Sequence, residues 1–208
     1  MGLTPNLLNE NCDSITSWTD TDNGAGAVSS VDPAGQFKFL TATKGLFVFA
    51  GRSKTITSPP DKFTIELRTY FDALGTVGNT DCAYIEYSTD TWGFRALFAT
   101  DGLFIQKAGD AQGEVGTNIV AVTTWAIWRF QVDKSGGEAS ATVEVFLNDV
   151  SQGTVDCDWE NEVSSAGLIN YVQTAFTTNS RISHVDYIRI ATGLGPINDT
   201  ARPQLNIF

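Results

Sequence analysis

The chain has 208 residues, of which 24 are Asp or Glu and 13 are Lys or Arg, for a net charge of −11 at pH 7. The basic residues stand singly from Lys38 to Arg202, so the clustered cations that phosphate binding needs are missing and nucleic acid is excluded as a partner. With 42% hydrophobic and 18% charged residues the composition is globular rather than disordered, and no apolar run approaches the roughly 18 residues of a membrane-spanning helix.

Thirteen Phe, five Trp and five Tyr beside a single Met favour strands. Residues 1–30 read as a looped leading strand containing Asp20-Thr21-Asp22-Asn23-Gly24. After the turn Asp32-Pro33-Ala34-Gly35 the chain predicts strands over 36–42 and 46–57, then a break at Pro59-Pro60-Asp61. Phe63 to Phe71 alternates apolar and polar residues, the mark of a half-buried strand whose successive side chains point to opposite faces. Further strands are predicted over 82–88, 92–98, 102–107 and 116–122. In Trp125 to Val132 the phase Trp128, Phe130, Val132 is the expected core face, and Ala141 to Leu147 repeats the alternation before a turn at Asn148-Asp149. Strands over 166–173 and 181–191 follow. No stretch of ten residues reads as a helix, so the chain is expected to be all-β, a sandwich or barrel. No composition shift marks a second domain: residues 1–192 are expected to form one domain and residues 193–208 an extended C-terminal arm.

The first residues, Met1-Gly2-Leu3-Thr4-Pro5-Asn6, have no basic segment followed by an apolar one, so no secretory signal is expected. Three cysteines, Cys12, Cys82 and Cys157, are an odd number; buried reduced thiols are expected, with one disulfide the alternative.

Two stretches carry a resemblance. Trp125-Ala-Ile-Trp128-Arg-Phe-Gln-Val-Asp133, with Val143-Glu-Val-Phe-Leu-Asn148-Asp149, resembles the Trp-led strand and following hairpin of laminin-G-like and laminarinase-like proteins. Asn148-Asp149 stands where Asp-Gly is usual. His184-Val-Asp186-Tyr-Ile-Arg189-Ile is similar to the closing strand of the same concanavalin A-like superfamily. The resemblance implies a two-sheet antiparallel jelly roll. It does not imply a function, because that scaffold hosts hydrolases, lyases, lectins and inert modules.

Retaining glycosidases need two carboxylates about 5–5.5 Å apart. The nearest match to their Glu-x-Asp-x-Glu strand is Asp156-Cys157-Asp158-Trp159-Glu160, followed by Glu162. It comes after the Trp-led strand instead of before it, and its first acid is one methylene short, so a solvated acidic edge is expected there. Where chain order would place that motif, Asp81 and Glu86 are five residues apart and on opposite faces. Ser183 and His184 also point to opposite faces, so Ser183-His184-Asp186 is no local triad. Phe63-Thr-Ile-Glu66-Leu-Arg68 superficially resembles the Arg-x-Glu strand of alginate lyases, but no Gln-x-His strand accompanies it. One histidine and three distant cysteines do not suit zinc. The resemblance does imply a structural calcium site, formed by Asp186 with oxygens of the loop Asp20, Asp22 and Asn23; the same Asx residues serve equally as turn formers.

For sugar, the candidates are Tyr84, Glu86, Trp92 and Arg95, an aromatic platform beside a charged pair. Trp92 also falls in phase with Phe94, Ala96 and Phe98, which reads as a core face. With no catalytic constellation and no export signal, the expectation is a non-enzymatic structural protein of a bacteriophage particle, located in the virion. The opening Asn6-Leu7-Leu8-Asn9-Glu10-Asn11-Cys12 to Ser17-Trp18-Thr19-Asp20 loosely resembles starts of tailed-phage particle proteins. The alternatives are a carbohydrate-binding module for host or surface glycans and a divergent glycoside hydrolase or polysaccharide lyase. Expected partners are further copies of the chain (a homo-oligomer) and other virion proteins. The apolar end of the arm, Leu205, Ile207 and Phe208, is expected to dock in a neighbour's groove, since burying each side chain contributes roughly 1.5–3 kcal/mol.

Overall fold

The computed structural model describes residues 2–45, 48–57, 60–76, 82–88, 93–106, 112–117, 119–137, 140–157, 166–175 and 181–198. Among them fifteen strands form two antiparallel sheets, the jelly-roll sandwich expected from the sequence. The first sheet runs β13 (Val150–Asp156), β12 (Thr142–Leu147), β11 (Ala126–Asp133), β6 (Lys62–Ala73), β15 (Arg181–Thr192), β4 (Phe37–Thr41) and β3 (Ala27–Val31). Its eighth strand, β1 (Leu8–Glu10), joins β15 along Ile188–Ile190, beyond the end of β4. The second sheet runs β10 (Gln112–Thr117), β9 (Gly102–Gln106), β8 (Gly93–Ala99), β7 (Ala83–Ser88), β14 (Ala166–Thr174), β5 (Phe49–Thr57) and β2 (Thr19–Asp20).

Period-two alternation decides which side chains meet between the sheets. Phe63, Ile65 and Leu67 of β6 lie opposite Val132, Phe130 and Trp128 of β11, and all six are fully buried. From the second sheet Ile85, Tyr87, Phe94, Ala96 and Phe98 face them. Ring pairs span the gap: Phe94–Phe130 at 5.1 Å, Phe98–Trp128 at 5.3 Å and Phe63–Tyr87 at 5.2 Å between centroids. These tilted and edge-on geometries add about 0.5–1.5 kcal/mol per pair to plain area burial.

At the β12–β13 hairpin Asn148 and Asp149 both have positive φ, 48° and 68°. That is the two-residue turn whose twist matches the flanking strands, with Asp in the place glycine usually takes. Asn148 Oδ1 accepts the Ile127 N–H at 3.0 Å, and Asp149 pairs with Arg129.

One predicted strand is displaced. The segment 116–122 was expected to be extended throughout, but β10 ends at Thr117 and residues 119–125 form a crossing between the sheets. There Val120 is buried in the core and Thr123, at φ 59°, donates to the Phe71 carbonyl. A short apolar run signals burial without saying whether the backbone pairs. Residues 1–30, expected as one looped strand, hold the three short strands β1, β2 and β3.

Past β15 the chain folds back on its own beginning. Leu3 N–H donates to the Pro196 carbonyl at 2.7 Å, Asn198 N–H donates to the Leu3 carbonyl at 2.6 Å, and Ile197 is buried. Leu205, Ile207 and Phe208 lie outside the described residues. No helix of the described residues is long and apolar enough to cross a membrane.

Candidate functional site

Three of the four sugar-site candidates are brought together on the outer face of the second sheet. Strand register places Glu86 opposite Arg95 and Asn170, and Tyr84 opposite Leu97. Arg95 Nη2 donates to Glu86 Oε1 at 3.1 Å while its guanidinium lies 4.9 Å from the Tyr84 ring centroid. Burial pushes the Tyr84 phenol up to about 12, so it remains a hydrogen-bond donor at neutral pH. The charged pair and the ring thus spend much of their bonding capacity on one another. Trp92 lies outside the described residues, and Phe94, Ala96 and Phe98, with which it shares a phase, face the core.

The expected calcium site is not assembled. Asp22 accepts from Ser29 N–H at 2.7 Å, Ser29 Oγ at 2.7 Å and Gly51 N–H at 2.8 Å. Its carboxylate therefore ties β3, at the edge of one sheet, to β5 in the other. Asp20 accepts the Asp22 N–H at 2.8 Å and pairs with Arg52 at 3.2 Å, and Arg52 in turn donates to the Ser29 hydroxyl and carbonyl. Asn23 exchanges backbone hydrogen bonds with Phe49. Asp186 stands apart from this network: it sits at a bulge in β15 and pairs with Arg68 Nη1 at 2.7 Å. Among the described residues no three His, Cys, Asp or Glu side chains converge as metal ligands. The physical reason is that the backbone and side-chain donors of β3 and β5 take the oxygens a cation would need.

The outer face of the first sheet holds a constellation that sequence reasoning did not single out. In register, Lys38 of β4, His184 of β15 and Tyr70 of β6 form a cross-strand row, continued by Trp125 just before β11. Tyr70 lies 5.5 Å from Trp125 and 5.9 Å from His184 between ring centroids. Together with Gln36 these three rings line an open pocket of about 170 Å³. Arg68, one outward position along β6, places its guanidinium carbon 4.7 Å from the Trp125 centroid while bonded to Asp186. The next row carries Arg189, Glu66 and Arg129, with the Tyr187 hydroxyl donating to Glu66 at 3.1 Å. Desolvation lowers the His184 pKa below its usual value, and Lys38 acts in the same direction. Asp72, Asp32 and a hydrogen bond to the Asp32 backbone oppose the shift without reversing it. His184 Nδ1 is buried and finds no hydrogen-bond partner among the described residues. The available signal was the placement of aromatic Tyr70 and Trp125 on the polar phases of their segments.

Asp156 is exposed on β13, and Asp158, Glu160 and Glu162 lie outside the described residues. Ser183 faces the core while His184 faces outward, as strand alternation predicts. Cys12, Cys82 and Cys157 are buried thiols, not joined in a disulfide. Burial, reinforced by nearby Glu10, pushes the Cys12 thiol well up.

No family model matches the chain, and no curated protein matches it in sequence. Solved structures do match in fold. Cellulose induced protein Cip1 superposes with a TM-score of 0.64 at 15% identity, over 90% of this chain and 99% of that one. A sialidase matches with a TM-score of 0.65 at 10% identity over 92% of this chain, which spans only 19% of the sialidase's length. A conserved carbohydrate esterase from the Shiga toxin-encoding bacteriophage phi24B gives a TM-score of 0.60 at 13% identity, over 93% of this chain and 100% of that one. At such identities the likeness establishes a shared jelly-roll fold and nothing finer.

Proposed function

We propose that the chain is a carbohydrate-contacting module that binds a glycan without cleaving it, through the pocket on the outer face of the first sheet. The observation that carries this reading is the convergence of Tyr70, Trp125, His184 and Gln36 on one open pocket, from four separate places in the chain. Aromatic rings supply apolar contact for the C–H faces of a sugar, and the amide, imidazole and phenol supply hydrogen bonds to its hydroxyls. Against cleavage we set the commitment of two carboxylates on this face: Asp186 to Arg68, and Glu66 to the Tyr187 hydroxyl.

The test is calorimetric titration with soluble oligosaccharides, alongside assays for released reducing ends and unsaturated products. The reading expects binding that Trp125→Ala weakens about tenfold or more, with no products formed. Turnover would overturn the non-enzymatic part, and saccharide binding indifferent to Trp125 would overturn the site.

A second reading, a structural component of a bacteriophage particle, is favoured by the N-terminal sequence and by the fold shared with a bacteriophage protein. It predicts the chain among the proteins of purified particles from the source. Its absence from particles, with the free protein still binding glycan, leaves the first reading alone.

A further inference from the structure

We infer that the Gln36–Tyr70–Trp125–His184 pocket selects a neutral, hydroxyl-rich sugar ring and rejects uronates and other anionic sugars. This rests on the glycan-binding reading above and adds the chemical class of the ligand.

Charge is the first argument. An anionic sugar needs a cation able to meet its carboxylate, and the two nearest cations are committed elsewhere. Arg68 is bonded to Asp186 at 2.7 Å with its guanidinium laid over Trp125, and Lys38 is bonded to Asp32 at 2.8 Å. A carboxylate entering the pocket meets cations whose charge is already offset by a bonded carboxylate, and it does so near Asp32, Asp72 and Asp186. The chain's charge of −11 adds a repulsive field at long range.

The second argument is the kind of hydrogen bonding on offer. Gln36 presents an amide that donates and accepts and Tyr70 a phenol that does both, groups that suit a sugar hydroxyl. Size is the third argument. At about 170 Å³ the pocket is small beside the roughly 300–1,000 Å³ of sites that enclose drug-sized ligands. It suits one ring of a chain that continues across the sheet.

The experiment compares matched neutral and uronate oligosaccharides of equal length by calorimetry on the full chain, at low and at physiological salt. Neutral gluco- or manno-oligosaccharides should bind, with affinity falling about tenfold or more in Gln36→Ala and Trp125→Ala proteins that retain the wild-type circular dichroism, the effect of losing one good polar or stacking contact. Uronate oligomers should bind at least about tenfold more weakly, with no gain at low salt. Asp186→Asn releases Arg68 and should raise uronate affinity by roughly tenfold, the low end for a hydrogen bond to a charged group. Tighter binding of uronates by the wild-type protein, weakening as salt rises and dependent on Trp125, overturns the inference and leaves the glycan-binding function standing. Unchanged uronate affinity in Asp186→Asn overturns the argument from committed cations. If neither series binds in a Trp125-dependent way, the function and the inference fall together.

Discussion

Replacing Asp22 by Asn tests whether the 20–24 loop is a clamp between sheet edges or a cation site. The wild-type carboxylate receives three donors within 2.8 Å, two of them backbone N–H groups on strands of different sheets. Asparagine has nearly the same shape but keeps a single acceptor oxygen and turns an N–H₂ toward the remaining donors. A hydrogen bond to a charged group contributes about 1.5–3 kcal/mol net, and half-exposed Asp22 belongs at the lower end. Three coupled bonds do not add fully, so the expected loss is about 2–4 kcal/mol. For a domain of this size 1 kcal/mol moves Tm by about 2–4 °C, which places the variant roughly 5–15 °C below wild type. The assay is thermal unfolding by circular dichroism, with calcium and with a calcium chelator. Wild type should melt at the same temperature in both. An Asp22→Asn protein melting within about 2 °C of wild type would refute the clamp. So would a wild-type Tm that climbs with calcium and ceases to do so in the variant, because the carboxylate would then be a ligand.

Three further outcomes follow from the same structure. The folded-state pKa of His184 is depressed, chiefly by desolvation, so below pH 6.5 the unfolded chain binds the proton more readily. Its contribution to stability is full above the unfolded value and is lost as pH falls through the folded one; urea midpoints should decline on acidification from pH 7, less steeply in His184→Gln, and equal slopes would contradict this. Cys12, buried and with its thiol held protonated by burial and by Glu10, should react with a thiol reagent at mildly alkaline pH only on the timescale of unfolding; rapid labelling of the folded protein at that position would show otherwise. Asp149→Gly relieves the positive φ of the hairpin turn, worth about 1 kcal/mol, yet strips the partner from the Arg129 side chain, which is 6% exposed. The unpaired guanidinium costs about 1–3 kcal/mol, so urea denaturation should show net destabilisation, and a more stable variant would mean the ion pair contributes nothing.

What the sequence determined by itself is what local periodicity can carry. In Phe63–Phe71, Trp125–Val132 and Ala141–Leu147 each side chain's face follows from its neighbours two residues away, so the core faces and the all-β class were legible without any partner strand. The Asn148-Asp149 hairpin and the Glu86–Arg95 pair were legible for a related reason, since each depends on two strands joined closely in sequence. Tertiary structure decided the rest. The segment 116–122 was apolar enough to be expected as a strand, but only the place of residues 119–125 between the sheets makes them a crossing. The Asx residues of the 20–24 loop look alike whether they meet a cation or an N–H, and the arrival of Ser29 and Gly51 chose the N–H. The pocket depended most on the fold. Gln36, Tyr70, Trp125 and His184 are far apart in the chain and each has an ordinary local role; cross-strand register, a long-range property that no short window contains, is what sets them side by side.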